Sequence, residues 1–222
     1  MTQSSIPHFG PGLFKFLREL KANNDRTWFN ANKQRFITEI EEPMLRFIVD
    51  FGKQLTKINK NFVADPRRVG GSMFRIYRDT RFAKDKTPFK VSAAAQFPHQ
   101  AHARDKSVPG FYLHLEPGLC LGGGIYHPDA AALQQIRTCI VETPTAWEKV
   151  LQAKIPIDGE TLKRPPKGFD PRHPLVTDIQ RKDFYSMVKF TEEQVCSAEF
   201  LDAYVKACVQ VSPLVDFLTN AL

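Results

Sequence analysis

The stretch Phe89-Lys90-Val91-Ser92-Ala93-Ala94-Ala95-Gln96-Phe97 decides the fold, because every second residue in it, starting with the first, is apolar. Successive side chains of a strand point to opposite faces, so this alternation predicts a strand with one buried face. Residues 111–116 repeat the alternation, and Pro117-Gly118 predicts a turn into a further strand over residues 119–126. We therefore predict adjacent strands of an antiparallel sheet.

Helical patterns lie on both sides of these strands. Apolar residues recur with helical spacing over residues 13–20, and Asn23-Asn24-Asp25 offers N-cap side chains for a second helix. Pro43 is expected to break or restart this helix, since proline removes a backbone hydrogen bond. Thr191-Glu192-Glu193-Gln194 has the sequence of a capping box ahead of the C-terminal helical pattern. We predict an α+β fold: a mainly antiparallel sheet of meander or hairpin form, over about residues 73–126, flanked by N-terminal and C-terminal helices.

The composition predicts one domain over residues 1–222. A chain of 222 residues with 42% apolar residues and 18 Phe can bury a sizeable core. We interpret the Pro-rich residues 163–171 as a loop within this domain, because a helical pattern resumes after them. No run of about 18 apolar residues occurs, and the first residues lack a basic stretch followed by an apolar one. We therefore predict a cytoplasmic protein that does not associate with a membrane.

The cysteines and histidines do not form the patterns of a metal site. The four cysteines are widely separated, so we predict neither a disulfide framework nor a zinc site. His99 and His102 lie three residues apart, but no third ligand follows at a suitable spacing. We expect no metal and no cofactor.

The positive charge is concentrated in one part of the chain. The formal net charge is +7, and residues 67–90 contain eight Lys and Arg against two Asp, which leaves about +1 for all other residues. Six of the eight cations lie in residues 75–90, which we call the basic segment. A local excess of this kind predicts an anionic partner or substrate.

Three arginines of the basic segment are spaced by three residues, namely Arg75, Arg78 and Arg81. A guanidinium group binds phosphate or carboxylate through two parallel hydrogen bonds, so we predict that these arginines converge on an anion pocket. Lys86 and Asp85 are further candidate ligand-binding residues, and Asp79 is a candidate catalytic residue that orients the guanidinium groups. Phe82 and Phe89 are expected to anchor the segment in the core. In the alternative interpretation, the two aspartates pair with neighbouring arginines and the lysines coat a solvated edge.

The polar positions of residues 111–116 are Tyr112, His114 and Glu116, which we expect on one face of a strand. They form an acid and base set if that face lines a pocket. His114 is then the candidate general base, and Tyr112 a candidate ligand-binding residue. The alternative is that this face simply meets solvent.

The run Gly122-Gly123-Gly124 precedes an expected helix start. Glycine lets the backbone approach a phosphate, and the amide groups of a helix N-terminus favour anions. Gly123 and Gly124 are therefore candidate ligand contacts. A bulge or tight bend is the alternative reason for glycine here.

The pattern Arg75-x-x-Arg78-Asp79-x-Arg81-Phe82-x-x-Asp85-Lys86-x-Pro88 resembles the signature R-x-x-R-D-x-R-F-x-x-[DN]-K-x-P-[YF] of a bacterial protein family, also found in fungi, whose function is unknown. The similarity extends to residues 23–29, 109–113, 122–128 and 162–169, and so covers nearly the full chain. The resemblance implies a shared fold and a shared site, but it supplies no activity. The family more commonly has tyrosine where this chain has Phe89, so no catalytic hydroxyl is expected at that position.

These patterns support three hypotheses for function. In the first, the arginines bind a phosphorylated or carboxylated small molecule, on which His114 can act; no reaction is specified by the residues. In the second, the basic segment binds nucleic acid, with Tyr77, Phe82 and Phe89 as stacking groups. In the third, its basic edge docks an acidic protein. The sequence does not indicate an oligomeric state.

Overall fold

The computed structural model of the protein describes residues 6–100, 108–123 and 128–222. In chain order, its elements are helices α1 (Pro11–Ala22), α2 (Arg26–Ala31) and α3 (Lys33–Phe36), a π-helical turn (Ile37–Glu41), helix α4 (Glu42–Ile58), strands β1 (Ala93–Pro98), β2 (Gly110–Glu116) and β3 (Leu119–Gly123), helices α5 (Ala130–Glu142), α6 (Pro144–Gln152) and α7 (Val176–Ile179), strand β4 (Met187–Phe190), and helices α8 (Glu192–Val195) and α9 (Phe200–Ala221).

The strands form one four-stranded antiparallel sheet in the order β1-β2-β3-β4. This confirms the α+β fold with an antiparallel sheet between N-terminal and C-terminal helices. The fourth strand lies outside the predicted residues 73–126, because it is formed by residues that follow α7. Met73 adds an isolated bridge to Ala95 of β1, and Tyr77 forms a second isolated bridge with Phe89, which precedes β1 in the chain.

One face of the sheet is buried against helices. The buried face carries the apolar members of the alternating patterns, which are Ala93, Ala95, Phe97, Phe111, Leu113 and Leu115. Helices α1, α4 and the first half of α9 supply the opposing side chains, among them Phe47, Phe51 and Tyr204. The alternation seen in the sequence therefore identified the core face correctly, but β1 begins at Ala93 and not at Phe89, where the alternating pattern starts.

A second apolar cluster lies among α5, α6, α7 and the end of α9. Its centre is Trp147, with Ile136, Ile140 and Phe184 around it. Residues 163–171 contain no helix or strand, as expected for a loop, and Phe169 packs against this cluster. Helix α9 contributes to both clusters. The single domain over residues 1–222 stays a prediction.

The helix starts differ in part from the sequence-based expectation. Asp25, and not Asn24, caps α2, since the Asp25 carboxylate accepts a hydrogen bond from the backbone N–H of Trp28 at 2.9 Å. Pro43 lies in the first turn of α4, which follows the π-helical turn Ile37–Glu41 directly, so the helical type changes next to the proline but the helical path is not interrupted. Thr191 and Gln194 form the expected capping box, although helix α8 is only one turn long.

Two further observations concern the whole described chain. Each of the four cysteines is a free thiol, and Cys120 and Cys208 are buried. Within residues 6–100, 108–123 and 128–222, no helix combines the length and the apolar character needed to cross a membrane.

Candidate functional site

Three polar side chains on the open face of β2 form a hydrogen-bonded chain. The Tyr112 hydroxyl lies 3.2 Å from Nδ1 of His114, and Nε2 of His114 lies 3.2 Å from Oε2 of Glu116. All three are half-buried, with 19% of the His114 side chain and 29% of the Glu116 side chain exposed. The period of a strand brings them together, because residues at i, i+2 and i+4 line one face. The predicted acid and base set is therefore in hydrogen-bonding contact, and it is only partly open to solvent.

Apolar residues of the neighbouring strands pair with His114 on both sides. Ala94 of β1 lies opposite His114, and Leu121 of β3 lies on its other side. Burial raises the pKa of Tyr112, so its side chain stays a neutral phenol over a wide pH range.

Phe74, which directly precedes the basic segment, borders the same face of the sheet. The backbone N–H of Phe74 donates to the carbonyl of Ala94 at 2.9 Å, and the ring of Phe74 lies 6.0 Å from that of Tyr112, edge to face. The ammonium group of Lys90 lies 5.2 Å from the centre of the Phe74 ring. Sequence reasoning assigned no role to Phe74 or Lys90. No strand pattern marks Phe74, which follows the isolated bridge of Met73 and lies outside the four strands, so no signal in the sequence indicated its contact with Tyr112.

The basic segment forms an irregular loop that leaves the sheet edge, which we call the excursion. Main-chain hydrogen bonds join the two ends of this loop. The N–H of Arg78 donates to the carbonyl of Pro88 at 2.9 Å, and the N–H of Lys90 donates to the carbonyl of Ile76 at 2.7 Å. Between these bonds the chain is irregular, apart from the isolated bridge between Tyr77 and Phe89.

The two phenylalanines of the basic segment have opposite environments. Phe89 is buried and stacks on Phe29 with ring centres 4.1 Å apart, so it anchors the segment as predicted. Phe82 is 94% exposed, and the prediction that it also acts as an anchor is wrong. It lies at the tip of the excursion, away from the core, and its ring is 5.8 Å from the guanidinium carbon of Arg81.

Both aspartates of the basic segment pair with arginines. Asp79 accepts two hydrogen bonds from Arg81, at 3.0 and 2.7 Å, and Asp85 accepts one from Arg78, which also binds the Thr87 hydroxyl. The pKa of Asp85 is lowered to about 2, mainly because the backbone N–H of Thr87 donates to its carboxylate, with Arg78 as the next cause. The local pairing considered as an alternative is therefore present for both carboxylates.

The remaining cations of the predicted site have other environments. Lys86 donates to the carbonyl of Thr80 at 2.9 Å and so ties the excursion together. Arg75 is exposed and has no hydrogen bond or ion pair to any residue in the described part of the chain. It follows Phe74 directly, which places its backbone at the border of the open sheet face. The ligand-binding roles of all these residues stay predictions.

Close packing explains why glycine stands at positions 122 and 123, where the sequence predicted a phosphate contact. A Cβ atom on Gly123 would collide with the carbonyl oxygen of Ser186, and one on Gly122 would come 2.8 Å from the ring of Tyr204. The close approach of β4 and α9 to β3 thus requires glycine at both positions. A phosphate contact at Gly123 stays a prediction, and Gly124 lies outside the described residues.

Comparison with known families supports one assignment. Residues 12–217 match the model of the family described as conserved hypothetical protein DUF2461. The chain belongs to the DUF2461 family. The match covers the N-terminal helices, the basic segment, the sheet and nearly all of α9. No curated protein and no solved structure matches the chain significantly.

The family description of DUF2461 names no activity, so the site itself is the guide to function. Among the described residues of this DUF2461 protein, no three His, Cys, Asp or Glu side chains cluster as a metal site requires. The groups available for chemistry on the open sheet face are instead an imidazole, a phenol and a carboxylate. The ammonium group of Lys90 contacts the ring of Phe74, which in turn lies beside Tyr112.

Proposed function

We propose that this protein binds a small molecule carrying a phosphate or carboxylate group where the basic segment meets the open face of the sheet, and that His114 transfers a proton there. The observation that carries the proposal is the chain of hydrogen bonds from Tyr112 through His114 to Glu116. A carboxylate that accepts a hydrogen bond from one imidazole nitrogen fixes the tautomer and stabilises the imidazolium ion. This arrangement equips His114 to take up and release a proton.

The charges of the basic segment support an anionic ligand. Its six cations outnumber its two carboxylates, which are each engaged by one arginine. Arg75 is exposed and has no partner among the described residues, so it is the guanidinium group that a ligand can engage without breaking an ion pair. Asp79 and Asp85 are about 60% exposed, and ion pairs this open to water are weak enough for a ligand phosphate to compete.

The proposed roles fit the chemistry of acyl or phosphoryl groups. A guanidinium ion positions an anion and stabilises negative charge that develops on it, while an imidazole moves a proton to or from the reacting oxygen. Asp79 holds the Arg81 guanidinium through two hydrogen bonds, which agrees with an orienting role rather than with proton transfer. The proposal therefore assigns proton transfer to the sheet face and anion binding to the basic segment.

Calorimetry with defined anions tests the binding. We expect inorganic phosphate or succinate to bind the wild-type protein, and Arg75→Ala to weaken that binding by on the order of 10-fold or more, as loss of a charge-assisted hydrogen bond does. Lys206→Ala is the matched control. Lys206 is an exposed cation of α9, which packs on the other face of the sheet. Equal losses in both variants, or no binding to the wild type, would contradict the proposal.

One observation favours nucleic acid as a second candidate ligand. Phe82 is 94% exposed and Tyr77 is 54% exposed, and both stand among the cations of the basic segment. Exposed aromatic rings in a positively charged loop are typical of surfaces on which bases stack. A fluorescence titration with labelled single-stranded and double-stranded DNA at two salt concentrations tests this candidate. Salt-sensitive binding that Phe82→Ala weakens would support it, and absence of binding at low salt would reject it.

A further inference from the structure

We propose that Tyr112 is the residue that contacts the bound molecule, and that His114 acts on that molecule only through the Tyr112 hydroxyl. This inference rests on the proposed function and specifies how its proton transfer takes place. Both ring nitrogens of His114 are already engaged, one by a hydroxyl group and the other by a carboxylate. A substrate can reach His114 directly only by displacing one of these two neighbours.

The partners of His114 define the direction of its hydrogen bonds. An ionised Glu116 can only accept, so Nε2 of His114 carries the proton of that bond. In a neutral imidazole, Nδ1 is then the acceptor, and the Tyr112 hydroxyl donates to it. No group in the described part of the chain donates to the hydroxyl oxygen, so its lone pairs can accept a further hydrogen bond from a ligand. Tyr112 is thus the end of this hydrogen-bonded series to which a ligand can bind.

The relay conserves protons and charge at each step. A hydroxyl group or water held beside Tyr112 gives its proton to the Tyr112 oxygen, while the original phenol proton moves to Nδ1 of His114. The O–H bond of the bound group and that of the phenol break, and a new O–H bond and a new N–H bond form. The bound oxygen becomes anionic, His114 becomes an imidazolium ion, and Glu116 stabilises that ion through the bond at Nε2.

This relay suits the surroundings of the phenol. The ring of Phe74 lies against Tyr112, and the rings of Tyr112 and His114 are 6.1 Å apart. An apolar neighbour and partial burial disfavour a free phenolate, as the raised pKa of Tyr112 indicates. In the relay Tyr112 is a neutral phenol before and after proton transfer, so no phenolate has to persist. His114 is a positioning and proton-accepting residue here, and Tyr112 is the group that touches the ligand.

The tautomer of His114 tests the direction of the relay without any ligand. The probe is the ¹⁵N spectrum of protein labelled in its histidine rings, recorded at neutral pH, with the His114 signals assigned by their loss in His114→Gln. We expect a protonated Nε2 and an unprotonated Nδ1 in the wild type, and a shifted Nδ1 signal in Tyr112→Phe, which removes only the hydroxyl donor. A protonated Nδ1 with an unprotonated Nε2 would overturn the relay, as would an unchanged Nδ1 signal in Tyr112→Phe.

A titration with inorganic phosphate then separates the relay from the proposed function. With tyrosine labelled at the carbon that bears the hydroxyl, we expect phosphate to shift the Tyr112 signal, while the fully buried Tyr204 serves as an internal control. Phosphate binding that depends on Arg75 but leaves the Tyr112 signal unmoved would overturn the inference and preserve the proposed function. If the Tyr112 signal does not move and calorimetry detects no binding, both fail.

Discussion

The side chain of Asn24 pairs with the main chain of Phe89 through two hydrogen bonds. Its Nδ2 donates to the Phe89 carbonyl at 3.0 Å, and its Oδ1 accepts from the Phe89 N–H at 3.1 Å. The carboxamide thereby completes the backbone bonding of a residue that lies between the irregular excursion and β1. The basic segment is attached to the helical layer at this point, both by Asn24 and by the stacking of Phe29 on Phe89.

Removing the carboxamide is therefore expected to destabilise the protein. Asn24→Ala leaves two half-buried main-chain groups without partners, which costs on the order of 1–3 kcal/mol in the free energy of unfolding. Asn23→Ala is the control, since the Asn23 side chain makes one exposed hydrogen bond to the carbonyl of Glu19. Urea denaturation measures both variants. A loss in Asn24→Ala no larger than that in Asn23→Ala would contradict the role of this pairing.

The two phenylalanines of the basic segment should respond differently to truncation. Phe89→Ala opens a cavity in the core and should cost about 3–5 kcal/mol, whereas Phe82→Ala removes an exposed ring and should change stability by less than about 0.5 kcal/mol. Thermal or urea denaturation distinguishes the two. A large loss of stability in Phe82→Ala would mean that this ring is packed in solution.

Gly123 should not tolerate a side chain. Gly123→Ala places a methyl group where the Ser186 carbonyl lies, so β3 and β4 have to separate, at a cost of about 2 kcal/mol or more. Gly12→Ala is the control, because its methyl group meets only the flexible side chain of Glu39 at 3.3 Å. Protection of amides in residues 187–190 against hydrogen exchange should fall in the first variant alone. Unchanged protection there would show that the carbonyl of Ser186 has another position.

The pKa of Asp85 gives a specific dependence on pH. Its value in the folded state, about 2, lies below the ordinary 3.8, so the hydrogen bonds of its carboxylate stabilise the excursion above about pH 4 and are lost as the pH falls towards 2. The amide signal of Thr87, which donates to Asp85 at 2.9 Å, should follow this titration with a midpoint near 2. The signal should lack that midpoint in Asp85→Asn. A midpoint near 4 in the wild type would contradict the bonding at Asp85.

Much of the fold could be predicted because it depends on local patterns. Alternation identified β1 and β2 and their buried faces, the Pro117-Gly118 turn identified β3, and the capping box identified the start of α8 at Thr191. Strand β4 was missed because Met187–Phe190 is only four residues long and none of the four is fully buried, so no alternation marks it. Its place in the sheet is determined by pairing with β3, which precedes it by three helices.

From the sequence, the candidate site could be predicted only for residues that share one face of a strand through its two-residue period. Tyr112, His114 and Glu116 were grouped correctly, because strand geometry alone brings them to one face. Asn24 was one of three residues offered as N-cap side chains, and its pairing with Phe89 could not be predicted because Phe89 is distant in the chain. Phe82 was assigned to the core because sequence records that a ring is apolar but not whether the loop that carries it turns inward.

The most direct test of the central claim is a crystal structure of the protein grown or soaked with inorganic phosphate. We expect an ordered phosphate on the open face of the sheet, hydrogen-bonded to the Arg75 guanidinium and next to the Tyr112 hydroxyl. The hydrogen bonds that join Tyr112, His114 and Glu116 should remain intact. A structure at saturating phosphate in which this face holds no anion, or in which phosphate binds only elsewhere on the surface, would contradict the account.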